Sequence, residues 1–127
     1  MSQRILVVED QEDNRKILRD LLTSADFEVI EAEDGESGLA AAAEHRPDLI
    51  LMDIQLPGLD GYEATRRLKA DAVLHAIPVI VVTSYALAGD DGKARAAGCD
   101  AYISKPYSPR QLLAKVREYL SPGAPTR

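Results

Sequence analysis

The chain has no tryptophan, one phenylalanine and a single cysteine, Cys99, within 127 residues. One cysteine excludes an internal disulfide and fits a reducing compartment; between Gly98 and a strand start, Cys99 reads as a small core residue. Two histidines and one cysteine also exclude a metal site of Cys/His type. Positive charge is in deficit, with 15 Lys and Arg against 21 Asp and Glu and a net charge of −6, so the clustered cationic footprint of a nucleic-acid binder is missing. Arg66, Arg67 and Lys69 make no such stripe. Long apolar runs are absent too: 49–52 and 77–82 are far too short for a bilayer, and the few residues before the first strand leave no room for a signal peptide. A cytoplasmic protein without nucleic-acid contact or membrane insertion is the expectation.

What is present is a folding signal. At 46% hydrophobic residues the chain suits one domain, long enough to bury about two thirds of its unfolded surface. Apolar, β-branched runs at 5–8, 49–52 and 79–82, and weaker ones at 28–32 and 101–104, alternate with helical patterns. That alternation predicts an α/β fold, a doubly wound five-stranded parallel sheet with five helices. Continuous hydrophobicity in three runs predicts strands covered on both faces, and the acidic residues of Glu28-Val-Ile-Glu-Ala32 predict an edge strand. Helices are expected at 12–24, with Ile17, Leu18, Leu21 and Leu22 on one buried stripe, at 36–44, 62–70 and 90–97, and at 109–120 with Leu112, Leu113, Val116, Tyr119 and Leu120 inward. Ser108-Pro109 reads as an N-cap and first-turn proline, and Gly98 as a left-handed stop. The domain is expected over 1–120, with a frayed tail at 121–127.

The strand ends carry the chemistry. The first run leads into Glu9-Asp10, the third closes on Asp53 before the turn-rich stretch 54–61, the fourth leads into Thr83, and the fifth into Lys105-Pro106. In open parallel sheets ligands bind beyond the carboxyl ends of the strands where strand order reverses, and a flavodoxin-like order 2-1-3-4-5 puts that point between strands one and three. Glu9, Asp10 and Asp53 would then repel one another unless a hard cation, Mg2+ or in its place Mn2+, sits among them. Phosphoryl transfer asks mainly for charge neutralisation around three equatorial oxygens. The cation, the Lys105 ammonium and the Thr83 hydroxyl with a backbone N–H supply it, leaving Asp53 as in-line nucleophile.

Glu9-Asp10, Asp53 within Asp-Ile-Gln-Leu-Pro-Gly-Leu-Asp-Gly, Thr83 and Lys105-Pro106 resemble, in order and spacing, the receiver domain of bacterial two-component response regulators, from Arg4 to Leu120. The resemblance implies that Asp53 accepts a phosphoryl group from a histidine kinase or histidine phosphotransfer protein. It implies that Asp10, Asp53 and the Gln55 backbone carbonyl bind Mg2+, with Glu9 reaching it through water. It also implies a switch pair, Thr83 and Tyr102, that reshapes the fourth helix, fifth strand and fifth helix for a downstream protein target. With no output segment after the fifth helix, the likeness is to stand-alone receivers, chemotaxis and cell-fate regulators among them, acting as a monomer or as a dimer formed on phosphorylation. Such a protein is a signalling phosphoprotein rather than an enzyme. One departure is Tyr85, placed to lean over the phosphoryl site and slow hydrolysis, which implies a longer-lived phosphate than in Tyr85→Ala; equal decay would remove that idea.

Other readings of the same residues stay open. A phosphatase with a strand-end aspartate would want a second carboxylate two residues on, where Gln55 stands. A receiver-like module that binds partners without phosphorylation would not need the full acidic and lysine set. Gly89-Asp-Asp-Gly92-Lys93 is too short and acidic for a phosphate loop. His45 and His75 read as solvated, and Gly35-Glu-Ser-Gly38 is not a nucleophile elbow, its second glycine coming one position early.

Overall fold

Five runs of aliphatic residues become strands because each can bury both of its faces. In the computed structural model, which describes residues 3–83, 95–105 and 107–120, these are β1 (Arg4–Val8), β2 (Glu28–Ala32), β3 (Leu49–Asp53), β4 (Val79–Thr83) and β5 (Ala101–Ser104). They form one parallel sheet in the order β2-β1-β3-β4-β5. The helices are α1 (Glu12–Ser24), α2 (Gly35–His45), α3 (Gly61–Ala70), α4, of which residues 95–97 are described, and α5 (Pro109–Leu120).

Strand periodicity divides the core in two. Leu6, Val8, Ile50, Met52, Val79 and Val81 pack with Ala42 of α2 and Ala64 and Leu68 of α3. Their odd-even neighbours Ile5, Val7, Leu49, Leu51, Ile80 and Ile103 pack with Leu18 and Leu22 of α1 and Leu112, Val116 and Leu120 of α5. Successive residues of one strand therefore serve opposite layers, which is why β1 and β3 show no polar alternation in sequence. β2 is an edge, as its acidic residues predict, and Glu28 and Glu31 on it pair with Arg4 and Arg19.

Caps fix where the helices start. Asp34 accepts from the Ser37 N–H at 2.7 Å while the Ser37 hydroxyl accepts from the Asp34 N–H at 3.2 Å. Ser108 and Gln111 exchange the same pair of bonds at the start of α5, each at 3.0 Å. Asp60 caps α3 through the Glu63 N–H at 2.9 Å. Gly61 follows because nothing larger fits: a Cβ there would run into the Asp53 carbonyl oxygen, and its own N–H donates to the Ile54 carbonyl at 3.1 Å. α3 is thus clamped onto the back of the strand that ends in Asp53. Gly98 takes φ +96° and ends α4, the stop read from sequence.

One expectation fails. Ile17 is 59% exposed, not part of the α1 core stripe, which runs through Arg15, Leu18 and Leu22. At 100° per residue Ile17 lies one step off the axis set by residues three and four apart, and among the described residues no layer covers α1 on that flank. The tail at 121–127, most of the helix expected at 90–97, Tyr85 and the segment Gly89 to Lys93 lie outside the described residues.

Candidate functional site

At the carboxyl end of the sheet, β1 runs into Glu9 and Asp10 while its neighbour β3 ends in Asp53. Carboxylate oxygens of these three residues lie within 4.8 Å of one another. Glu9 and Asp53 are buried, at 2% and 5% exposure, and Asp10 faces solvent. Lys105, the first residue past β5, brings its Nζ to 3.3 Å from Glu9 and 3.7 Å from Asp53. The cleft among them, of about 340 Å³, is lined by Glu9, Asp10, Gln11, Asn14, Asp53, Gln55 and Lys105.

Backbone donors finish the arrangement. The Gln11 N–H donates to Glu9 Oε2 at 3.2 Å and the Gln55 N–H to Asp53 Oδ1 at 3.4 Å. Even so, negative charge is in excess: three carboxylates gathered within 4.8 Å repel one another, and one shared ammonium offsets only part of that repulsion. Burial first, then Glu9, pushes the Asp53 carboxyl up to about 6, with Lys105 pulling the other way. Asp53 still ionises at neutral pH. Burial and the same two carboxylates push the Tyr107 phenol beside the cleft up to about 12.

The donor set is hard oxygen, anionic and under-compensated, which fits a divalent ion such as Mg2+. Glu9, Asp10 and Asp53 are the described residues that could ligate it. A buried carboxylate beside a cation site and an ammonium is suited to attack an electrophile whose own oxygens are anionic, a phosphoryl group above all.

Of the residues singled out from sequence, Glu9, Asp10, Asp53, Gln55 and Lys105 share this cleft. Thr83 closes β4 directly after Val82, the register partner of Asp53, so its main chain reaches the same end of the sheet; its side chain is outside the described structure. Tyr102 stands apart on β5, 37% exposed. His45 and His75 are exposed and remote from the cleft. Cys99 packs partly buried against the core, and burial pushes its thiol up.

Sequence reasoning missed Arg15. It is 7% exposed, and its Nη1 donates to the carbonyls of Glu9 at 2.9 Å and Asp10 at 3.3 Å. The signal was available: Arg15 precedes Leu18 by three and Leu22 by seven, so a cation falls on a buried stripe and must find partners there.

Comparison with known proteins agrees with this geometry. A family model for the response regulator receiver domain matches residues 5–117. The polar-differentiation response regulators DivK of Brucella anthropi and Brucella ovis are 48% and 47% identical over 120 residues, spanning 94% of this chain and 98% of each relative. Among solved structures, the receiver domain of a Pseudomonas aeruginosa sensor histidine kinase, with a magnesium ion coordinated in its active-site cleft, is 35% identical with a TM-score of 0.87, covering 94% of this chain and 98% of that one. The chemotaxis protein CheY4 of Vibrio cholerae is 26% identical with a TM-score of 0.89, covering 94% and 100%.

Proposed function

The chain belongs to the family of response regulator receiver domains, and from that premise we propose that it is a phosphorylation-controlled signalling protein in which Asp53 accepts a phosphoryl group from a histidine kinase or histidine phosphotransfer protein. The observation that carries this is the buried Asp53 carboxylate with two further carboxylates within 4.8 Å and the Lys105 ammonium at 3.7 Å. An Asp53 oxygen attacks phosphorus in line, the O–P bond forms, the P–N bond breaks, and its electron pair returns to the imidazole nitrogen.

Asp10, Asp53 and the Gln55 carbonyl would hold Mg2+, with Glu9 behind them. When bound, the ion neutralises phosphoryl oxygens as charge shifts between nucleophile and leaving group. Lys105 holds the Asp53 carboxylate in place before transfer and pairs with a phosphoryl oxygen after it. The Thr83 hydroxyl takes the remaining oxygen. Tyr102, exposed on β5, turns inward as Thr83 moves, biasing the α4, β5 and α5 surface toward a protein target. Residues 1–120 form the receiver unit, working in the cytoplasm, with no turnover of an external substrate.

Intact-mass spectrometry after incubation with acetyl phosphate tests this, with and without Mg2+, on wild type and Asp53→Asn. One metal-dependent phosphoryl adduct, lost in the mutant, is expected. No adduct under any condition would favour a phosphate-independent binding module, and steady release of phosphate would favour a phosphatase.

A further inference from the structure

Arg15 is a buried cation beside a site that needs cations, yet its guanidinium bonds the main chain behind the carboxylates and not the carboxylates of Glu9, Asp10 or Asp53. Nη1 spans the carbonyls of Glu9 and Asp10, at 2.9 and 3.3 Å. The rest of the group is held by acids from two other directions: Glu12 at 3.2 Å on its own helix, and Glu31 on β2 and Glu33 just past its end, at 3.4 and 3.8 Å. The Glu9 N–H is fixed as well, donating to the Ala32 carbonyl at 3.0 Å. Both hydrogen-bonding groups of the Glu9 peptide are therefore occupied, one by β2 and one by Arg15. Since Glu9, Asp10 and Asp53 repel, their converged arrangement persists only if the backbone cannot rotate the first two away.

We propose that Arg15 is a positioning residue that clamps the Glu9-Asp10 main chain so that both carboxylates stay gathered on Asp53 for divalent-cation binding. The inference rests on the metal-site reading given under Proposed function. It makes a prediction of unusual sign. By Coulomb's law alone, removing a positive charge near the site should tighten cation binding; if the clamp matters more, removal weakens it. Outer-sphere partners of this kind typically change metal affinity by about 10- to 100-fold.

Isothermal titration with MgCl2 decides between these, on wild type, Arg15→Met, Arg15→Lys and Glu31→Gln, at a temperature where circular dichroism shows each to be folded. Arg15→Met, which fills the same space, should bind Mg2+ about tenfold more weakly. Arg15→Lys keeps the charge and stem but not the planar fork, and should lose a few-fold. Glu31→Gln, which loosens the outer hold only, should lose less than either. Asp71→Ala, which removes the turn bonds to the Val73 and Leu74 N–H groups past the end of α3 and so lowers stability, should leave Mg2+ affinity unchanged, separating the clamp from general destabilisation. Arg15→Met binding as tightly as wild type, or more tightly, overturns the clamp while leaving the metal site intact. If Arg15→Met does not fold, wild-type affinity in Arg15→Lys does the same. A wild-type protein that takes up no Mg2+ overturns the metal-site reading and the clamp with it.

Discussion

Replacing Asp53 with asparagine should make the cation-free protein more stable at neutral pH. In the unfolded chain the carboxyl titrates near the ordinary 3.8, but in the fold burial and Glu9 raise it to about 6. Below pH ~4 both states hold the proton and the raised value costs nothing. Between about pH 4 and 6 the native state keeps a proton that the unfolded state has released, so wild-type stability falls as pH rises, and above that the loss levels off at about 3 kcal/mol. Asparagine never incurs this loss. It does remove one partner of Lys105, which keeps Glu9 at 3.3 Å, so the expected net gain is about 2 kcal/mol. Urea denaturation followed by circular dichroism in EDTA, near pH 7.5 and again near pH 4, reads the difference directly. The gain should be present at the higher pH and nearly vanish at the lower, and millimolar Mg2+ should narrow it by stabilising wild type alone. An Asp53→Asn protein no more stable than wild type at neutral pH in EDTA would refute the claim that burial and like charge dominate over Lys105.

Other substitutions probe the scaffold by the same urea midpoints. Gly61→Ala forces a methyl into the Asp53 carbonyl and should cost at least about 2 kcal/mol while weakening Mg2+ binding, whereas equal midpoints would show that α3 can back away. Asp34→Ala removes one side of a capping box and should lower the urea midpoint; an unchanged midpoint would mean solvent satisfies the first turn of α2 equally well. Ile17→Ser should change stability by no more than about 0.5 kcal/mol while its neighbour Leu18→Ala costs about 2–4, and a large Ile17 effect would contradict its exposure.

Strand order, the positions of α1, α2, α3 and α5 on either side of it and the meeting of Glu9, Asp10, Asp53 and Lys105 were legible because strand-end residues in a parallel sheet have one place to go. The edge character of β2 was legible from two glutamates. Ile17 was misread because hydrophobicity marks a helix face only to within a residue or so, and what decides burial is whether another layer arrives. Arg15 was missed for the opposite reason: its charge suggested solvent, and only the fold shows carbonyls and acids waiting on the stripe. Gly61 belongs to this second kind, since a turn glycine and one excluded by a neighbouring carbonyl look alike in sequence.

The alternation that splits the core also addresses the site. Glu9 follows Ile5 and Val7, Asp53 follows Leu49 and Leu51, and Lys105 follows Ile103, each the next same-parity position on the α1 and α5 side. A slip of one residue in β1 or β3 would swap the layer of every aliphatic side chain on that strand and aim the acid at its end away from the others. Such a chain would lose its core before it lost its charge cluster. Folding thereby proofreads the cleft: a molecule that has closed both layers has already aimed its acids and its lysine the same way.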